Sequence, residues 1–220
     1  PVGKSLVIAL DGPAASGKGT LAMLIADAYN LAYLDTGSLY RGVAWIMLND
    51  GADPRNEAAA ERTARDFSVL RLKDADIRTR EVGAAASIVA AQPKVRQALL
   101  DYQRNFAKNP PGGTKGAVLD GRDIGTVVCP DATVKFFVVA SPEVRAHRRW
   151  LELLPSKPAL TETEVLADLK ERDARDAARA DAPMAKAADA ELLDTTSLTI
   201  DAAFAAARRV IDGVLRRCEA

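Results

Sequence analysis

The sequence predicts an α/β protein built on a parallel, doubly wound sheet flanked by helices, and three observations carry that prediction. Short apolar runs of strand length, at residues 6–10, 31–34, 117–120, 134–140 and 192–196, alternate with segments whose apolar residues recur at helical spacing. The first run ends in a glycine-bounded loop, and Leu21, Leu24, Ile25 and Ala28 then follow at helical spacing, giving strand, loop and helix in succession. A length of 220 residues with 48% hydrophobic side chains suits one such domain with insertions.

The loop, Gly12-Pro13-Ala14-Ala15-Ser16-Gly17-Lys18-Gly19-Thr20, has the composition of a phosphate cradle. Its glycines let backbone N–H groups turn inward, and the helix N-terminus adds further donors for an anion. Lys18 supplies a point charge for the β- and γ-phosphates. In the general motif a hydroxyl residue follows the lysine directly, whereas here Gly19 holds that place and Thr20 comes next as the residue to hold Mg2+. That order is similar to the phosphate loops of enzymes that phosphorylate nucleoside monophosphates. The plainer alternative is a glycine-rich turn with a solvated lysine. The reading adopted is a nucleoside triphosphate site on a P-loop NTPase core.

Composition excludes several other classes. Thirty basic residues balance thirty acidic ones, so no global field favours nucleic acid or an anionic membrane. No apolar run reaches membrane-spanning length and the N-terminal stretch lacks a signal pattern, so a cytoplasmic protein is expected. With Cys129, Cys218 and His147 as the entire Cys and His complement, neither a Cys/His metal cluster nor a disulfide framework is expected. Any metal should be Mg2+ arriving with the nucleotide. Arginine outnumbers lysine two to one, which suits phosphate recognition but also fits a GC-rich genome.

After the loop helix, residues 31–34 lead into a polar turn and a helix marked by Leu39, Val43, Ile46 and Met47. Thr36 and Arg41 stand at the end of that strand, where a parallel sheet faces its ligand; an ordinary capped helix start with a solvated arginine reads equally well. Residues 56–66 read as a polar helix, 67–72 as a strand, 84–89 and 93–106 as helices, and 109–113 as the strongest break. The strand at 117–120 ends in Asp120-Gly121-Arg122-Asp123, and Asp120 takes the position of an outer-shell Mg2+ partner, with a turn-forming role as the alternative. Ser141-Pro142-Glu143 opens a helix on which Arg145, Arg148 and Arg149 share one face. His147 on that helix reads as a surface or packing residue. Thr161 and Glu164 form a capping box for a helix bearing Arg172, Arg175, Asp176 and Arg179 on one polar face. These arginines read equally as a salt-bridged surface or as a lid closing on phosphates. Asp201 reads as the cap of an amphipathic terminal helix.

With these segments assembled, the chain resembles the bacterial cytidylate kinases over nearly all its length. The resemblance rests on 11–20, 34–41, Ile77-Arg78-Thr79, Glu81-Val82, Val95-Arg96, Asp120 to Val128, Arg145 to Arg149 and Glu171 to Arg179. The run Gly-Arg-Asp-Ile-Gly-Thr-Val-Val at 121–128 is its most specific part. It implies transfer of the γ-phosphoryl of MgATP to CMP or dCMP by a single domain, expected as a monomer. That domain has a core at 1–36, 114–150 and 180–220, a nucleoside-monophosphate-binding insertion at 37–113, and a short arginine-rich lid at 151–179. It implies cytosine near Thr36, Arg96, Asp123 and Arg179, and the sugar near Ser87, Arg172 and Asp176. The acceptor phosphate falls near Arg41 and Arg122, and the transferring group near Lys18, Arg122, Arg148, Arg149 and Arg172. Between residues 67 and 77 the chain is shorter than the family pattern, with room for one strand where a longer hairpin is expected.

These assignments agree with the chemistry. Cytosine presents an N4 donor beside O2 and N3 acceptors, so a carboxylate and an arginine together read it, and uracil offers Asp123 the wrong group. Phosphoryl transfer needs positioning and charge stabilisation more than a protein base, so no catalytic histidine or glutamate is expected. A kinase of the same core acting on UMP, AMP or shikimate, and a non-catalytic ATP sensor, are the rival readings.

Overall fold

In the computed structural model, which describes residues 5–67 and 74–219, the chain forms two compact units. The first comprises Pro1–Asp35, Arg104–Arg145 and Met184–Ala220; the second comprises Thr36–Gln103 and Ala146–Pro183.

The first unit holds the sheet. Strands β1 (Leu6–Asp11), β2 (Ala32–Asp35), β3 (Gly116–Gly121), β4 (Val134–Val139) and β5 (Glu191–Asp194) lie in the order β2-β3-β1-β4-β5. Every pairing is parallel, as the alternation of elements predicts. Helices cover a parallel sheet, so its central strands are continuous apolar runs rather than alternating ones. Ile8, Ala9 and Leu10 of β1 and Val118 and Leu119 of β3 are fully buried for that reason. Helix α1 (Lys18–Tyr29) contributes Leu21, Ala22 and Ile25 to the core, where Ala207 and Ile211 of the C-terminal helix join them. The chain adds β2 and β3 on one side of β1 and β4 and β5 on the other. The loop leaving β1 therefore stands where the winding reverses, the usual ligand position in an open α/β sheet.

The second unit is helical. Helices α2 (Thr36–Asn49), α3 (Glu57–Arg65), α4 (Asp74–Ile77), α5 (Arg80–Val89) and the first part of α6 (Pro93–Lys108) surround a core of Leu39, Val43, Met47, Ile77, Val82, Val89 and Leu99. Ala44, Ala85 and Ala86 in that core let α2 and α5 approach closely. The later part of α7 (Pro142–Leu153) and all of α8 (Glu162–Ala177) complete the unit.

Three helix starts follow from cap chemistry. Asn56 accepts from Ala59 N–H at 3.1 Å, Thr79 accepts from Val82 N–H at 3.2 Å, and Thr161 with Glu164 forms the expected capping box. The C-terminal helix, α9 (Ile200–Glu219), departs from expectation: Thr199 Oγ1 accepts from Ala202 N–H at 3.2 Å, and Asp201 lies inside the first turn, favoured there by the helix dipole. The last strand spans Glu191–Asp194 rather than 192–196, because Thr196 folds back to donate to Asp194 Oδ1. The polar segment expected as a turn after β2 is the first turn of α2 itself. Beyond Phe67, the strand expected at 67–72 lies outside the described residues. No helix of the described residues is long and apolar enough to cross a membrane.

Candidate active site

The loop after β1 has the conformation of an anion cradle. Gly12 has φ +145°, and a Cβ there would fall 2.0 Å from the Val138 carbonyl oxygen of β4, so only glycine lets the chain leave the sheet at this point. Ala15 (φ +58°) and Gly17 (φ +90°) are left-handed, and α1 begins at once with Lys18. No side chain caps α1 and no acid stands in its first turn, so its N–H groups and positive dipole end are left for a ligand. Two loop carbonyls are tied outward: Arg145 Nη1 donates to Ala14 O at 3.2 Å, and Thr195 Oγ1 donates to Ser16 O at 2.7 Å. Ser16 is fully buried, and its Oγ has no hydrogen-bond partner among the described residues.

Asp120, next to last in β3, lies against this loop. A Cβ on Gly19 would come within 3.3 Å of Asp120 Oδ2, which gives a physical reason for glycine where the general motif has a hydroxyl residue. Tyr33 Oη donates to Asp120 Oδ2 at 3.0 Å. Burial first, and then the negative charge of Asp35, push the Asp120 carboxyl up to about 6, with Lys18, Tyr33 and Arg122 opposing. Two neighbouring carboxylates, one of them buried, beside a loop made for phosphates, suit a divalent ion of the hard, oxygen-liganded kind. No group of three or more His, Cys, Asp or Glu among the described residues makes a metal cage, so the remaining ligands of such an ion would be phosphate and water.

Beyond Gly121 the chain makes a π-helical turn, Ile124–Val128. Asp11, the last residue of β1, accepts from Ile124 N–H and Gly125 N–H at 2.7 Å each. At the turn's other end, Arg104 donates to the carbonyls of Val127 (3.0 Å) and Val128 (3.2 Å). Asp123, just before the turn, is buried; Arg122 is half-buried and donates to Gly121 O at 3.3 Å.

The second unit gathers the other sequence-assigned residues. Thr36, Ser87, Arg96, Asp176 and Arg179 are buried, while Arg41, Arg148, Arg149 and Arg172 are half-buried. Arg96 donates to Ala90 O at 3.1 Å, with its guanidinium 5.5 Å from the Tyr40 ring centre. Asp176, 1% exposed, accepts from Arg179 Nη2 and lies 4.0 Å from Arg172 Nε. The pairs form, but the helix ends at Ala177, so Arg179 reaches Asp176 from just past its end rather than from the expected helix face. Both are buried rather than part of a solvated surface. A cavity of about 370 Å³ is lined by Ser87, Arg149, Leu169 and Arg172 among others. Ser87 Oγ is buried there with no hydrogen-bond partner among the described residues. Arg80 on α5 holds Asp168 on α8 through two bonds of 2.6 and 3.0 Å, and this pairing raises the arginine's pKa further.

The arginine face expected on α7 divides. Arg145 is buried and serves the loop through Ala14 O and Ala140 O, whereas Arg149 donates to Arg78 O and pairs with Glu152 at 2.7 Å. His147 is half-exposed, with Nδ1 3.2 Å from Glu162 Oε2. Sequence reasoning missed Asp11, Tyr33, Arg104 and Thr195 as supports of the site. The one signal that pointed to any of them was the polar residue closing each strand.

Comparison with known proteins identifies the family. The family model described as cytidylate kinase matches residues 8–212. A cytidylate kinase of Rhodospirillum rubrum is 55% identical over 94% of this chain and 97% of its own length. One from Caulobacter sp. strain K31 is 52% identical over 94% of each chain. The crystal structure of an uncharacterized protein from Eubacterium ventriosum matches with a TM-score of 0.54 at 15% identity, covering 94% of this chain and 98% of that one, a likeness of fold alone. From the extent of the family match and the identity to its members, the chain belongs to the cytidylate kinase family.

Proposed function

We propose that the protein transfers the γ-phosphoryl group of ATP to CMP or dCMP, giving ADP and the corresponding diphosphate. The observation that carries this reading is the loop of the first unit. Its left-handed residues and outward-tied carbonyls leave the backbone N–H groups of 14–20 for polyphosphate, beside the Lys18 ammonium and the Asp120 carboxylate. Membership of the cytidylate kinase family supports the acceptor.

Gly12 to Thr20 bind the donor phosphates, with Lys18 countering the charge that builds up on the transferring group. Thr20 and Asp120 would hold Mg2+, Asp120 through water; when bound, the ion neutralises phosphate charge and draws electron density toward the leaving oxygen. Arg41 and Arg122 grip the acceptor phosphate as planar forks. Arg122, Arg148, Arg149 and Arg172 screen two anions that would otherwise repel each other. Thr36, Arg96, Asp123 and Arg179 read cytosine, and Ser87, Arg172 and Asp176 take the sugar hydroxyls; the orphaned Ser87 Oγ supports the second assignment. The acceptor phosphate oxygen attacks as an anion, so no side chain need remove a proton. Every assigned residue comes from one chain, so a monomer suffices, and both substrates are nucleotides of the cytoplasm, where we place the enzyme.

An acceptor panel of CMP, dCMP, UMP, AMP and shikimate with ATP and Mg2+ tests the reading. CMP or dCMP should exceed the others in kcat/KM, and Lys18→Ala should lose about 100-fold or more in kcat. Asp123→Ala should narrow the preference for CMP over UMP by about 10-fold or more. A parent enzyme that uses UMP or AMP as well as CMP would overturn the base assignment.

A further inference from the structure

The proposed recognition residues Arg122 and Asp123 sit on a turn that the protein holds with unusual care, and the residue holding it most directly has no contact role in the reading above. We infer that Asp11 is a positioning residue for acceptor recognition: its carboxylate fixes the π-helical turn that presents Arg122 and Asp123. This inference rests on the proposed function, because it assigns the turn to the acceptor.

Asp11 is 4% exposed and divides its two oxygens between two consecutive amides, Oδ1 for Ile124 and Oδ2 for Gly125, at 2.7 Å each. Short bonds from N–H to a carboxylate are the stronger class, and two on one group fix its plane as well as its position. A π-helical turn leaves its first amides without helical partners, so an outside acceptor is needed wherever such a turn is buried. The backbone carbonyl of Asp123 meanwhile accepts from Val127 N–H at 2.9 Å and Val128 N–H at 3.1 Å. The residue bearing the base-reading carboxylate is thus locked from its own backbone into the turn that Asp11 clamps. Gly125 belongs to the same fit, since a Cβ there would meet Asp11 Oδ2 at 3.3 Å and Lys135 Cδ at 3.1 Å.

The arrangement has a further consequence. Asp11 immediately precedes Gly12, the first residue of the phosphate loop, and it pairs with β3 through Gly121, one residue before Arg122. One side chain therefore joins the strand that launches the donor loop to the turn that carries acceptor residues. A carboxylate is demanded by the geometry: an asparagine offers one acceptor oxygen for two N–H groups and turns an NH2 toward the second. Burial opposes the charge while the two N–H groups support it.

Two substitutions test the assignment from opposite sides of the contact. Asp11→Asn keeps the shape and removes one acceptor; Gly125→Ala pushes the turn away from Asp11 and Lys135 while leaving every residue of β1 and the phosphate loop unsubstituted. In each, KM for CMP should rise about 10-fold and the CMP:UMP ratio of kcat/KM should fall, with KM for ATP moving much less. The double variant should lose little more than the worse single one, because both break the same contact. Loss of thermal stability or of ATP affinity with the CMP:UMP ratio intact would overturn the proposal, leaving Asp11 a support of the fold alone. If Asp11→Asn does not fold, Gly125→Ala decides the matter by the same ratio. A parent enzyme that shows no preference for CMP would instead overturn the functional reading, so the two failures are distinguishable.

Discussion

Asp120, the proposed metal partner, carries a charge that its surroundings disfavour. Its carboxyl rises from 3.8 to about 6 because it is buried and faces the charge of Asp35. Between those values the folded protein keeps a proton that the unfolded chain has released, so stability falls as pH rises through the window and is flat above it. Asp11, raised to about 6 by burial, adds a contribution of the same sign over the same range. Asp120→Asn should therefore be more stable than the parent at pH 7.5 by about 1–3 kcal/mol and should show a shallower loss between pH 4.5 and 6.5 in urea melts. Its phosphoryl-transfer rate should fall in the same preparation, the trade expected of a charge kept for a ligand. Equal pH slopes in parent and variant would show that Asp120 carries no such cost. Gly19 is bound into the same environment: Gly19→Ala must shift Asp120 Oδ2 by a few tenths of an ångström, and a cost of about 1–3 kcal/mol in stability is expected from thermal melts.

Among the elements, α8 separates two kinds of helical charge pair. Arg175 with Glu171 is an exposed pair of the sort worth tenths of a kcal/mol, whereas Asp176 is buried between Arg179 and Arg172. Asp176→Ala removes a buried carboxylate paired with Arg179 and should cost about 3–5 kcal/mol by urea denaturation; Glu171→Ala should cost less than about 1 kcal/mol. The sequence spacing told that these pairs form but not which is buried, because three- and four-residue steps look alike on any face of a helix. What was legible follows the same division. The strands of the sheet, the phosphate loop and the Thr161 capping box are written in neighbouring residues. Each appears where spacing puts it except the last strand, which is shifted to Glu191–Asp194, while the strand expected at 67–72 lies outside the described residues. The Asp11 clamp joins residues more than a hundred positions apart, the π-helical turn has no periodic signature of its own, and Arg145 shares its helical spacing with Arg148 and Arg149 while doing different work. Such partners depend on how strands align, which no local pattern records.

On the scale of the whole molecule, the chain builds two cores: an α/β one around β1, and a helical one around α2 and α5. The proposed donor loop lies in the first core and most of the proposed acceptor residues in the second, with Arg122 and Asp123 as the exceptions. This predicts footprints in hydrogen exchange that separate outside residues 121–128. A non-hydrolysable ATP analogue should slow exchange across 12–20, and CMP alone should slow it across 80–89 and 162–177. Protection of both regions by either ligand alone would contradict the division of roles. One contact in the first core also bears on how the protein is made. The Ser16 carbonyl is held by the Thr195 hydroxyl, 179 positions away in the chain, and Thr195 follows the last strand of the sheet. A polypeptide leaving the ribosome thus has the letters of its nucleotide loop 179 residues before it has this brace. Chains stopped short of residue 195 should therefore carry the motif without this brace and retain ATP less tightly than chains extended past it.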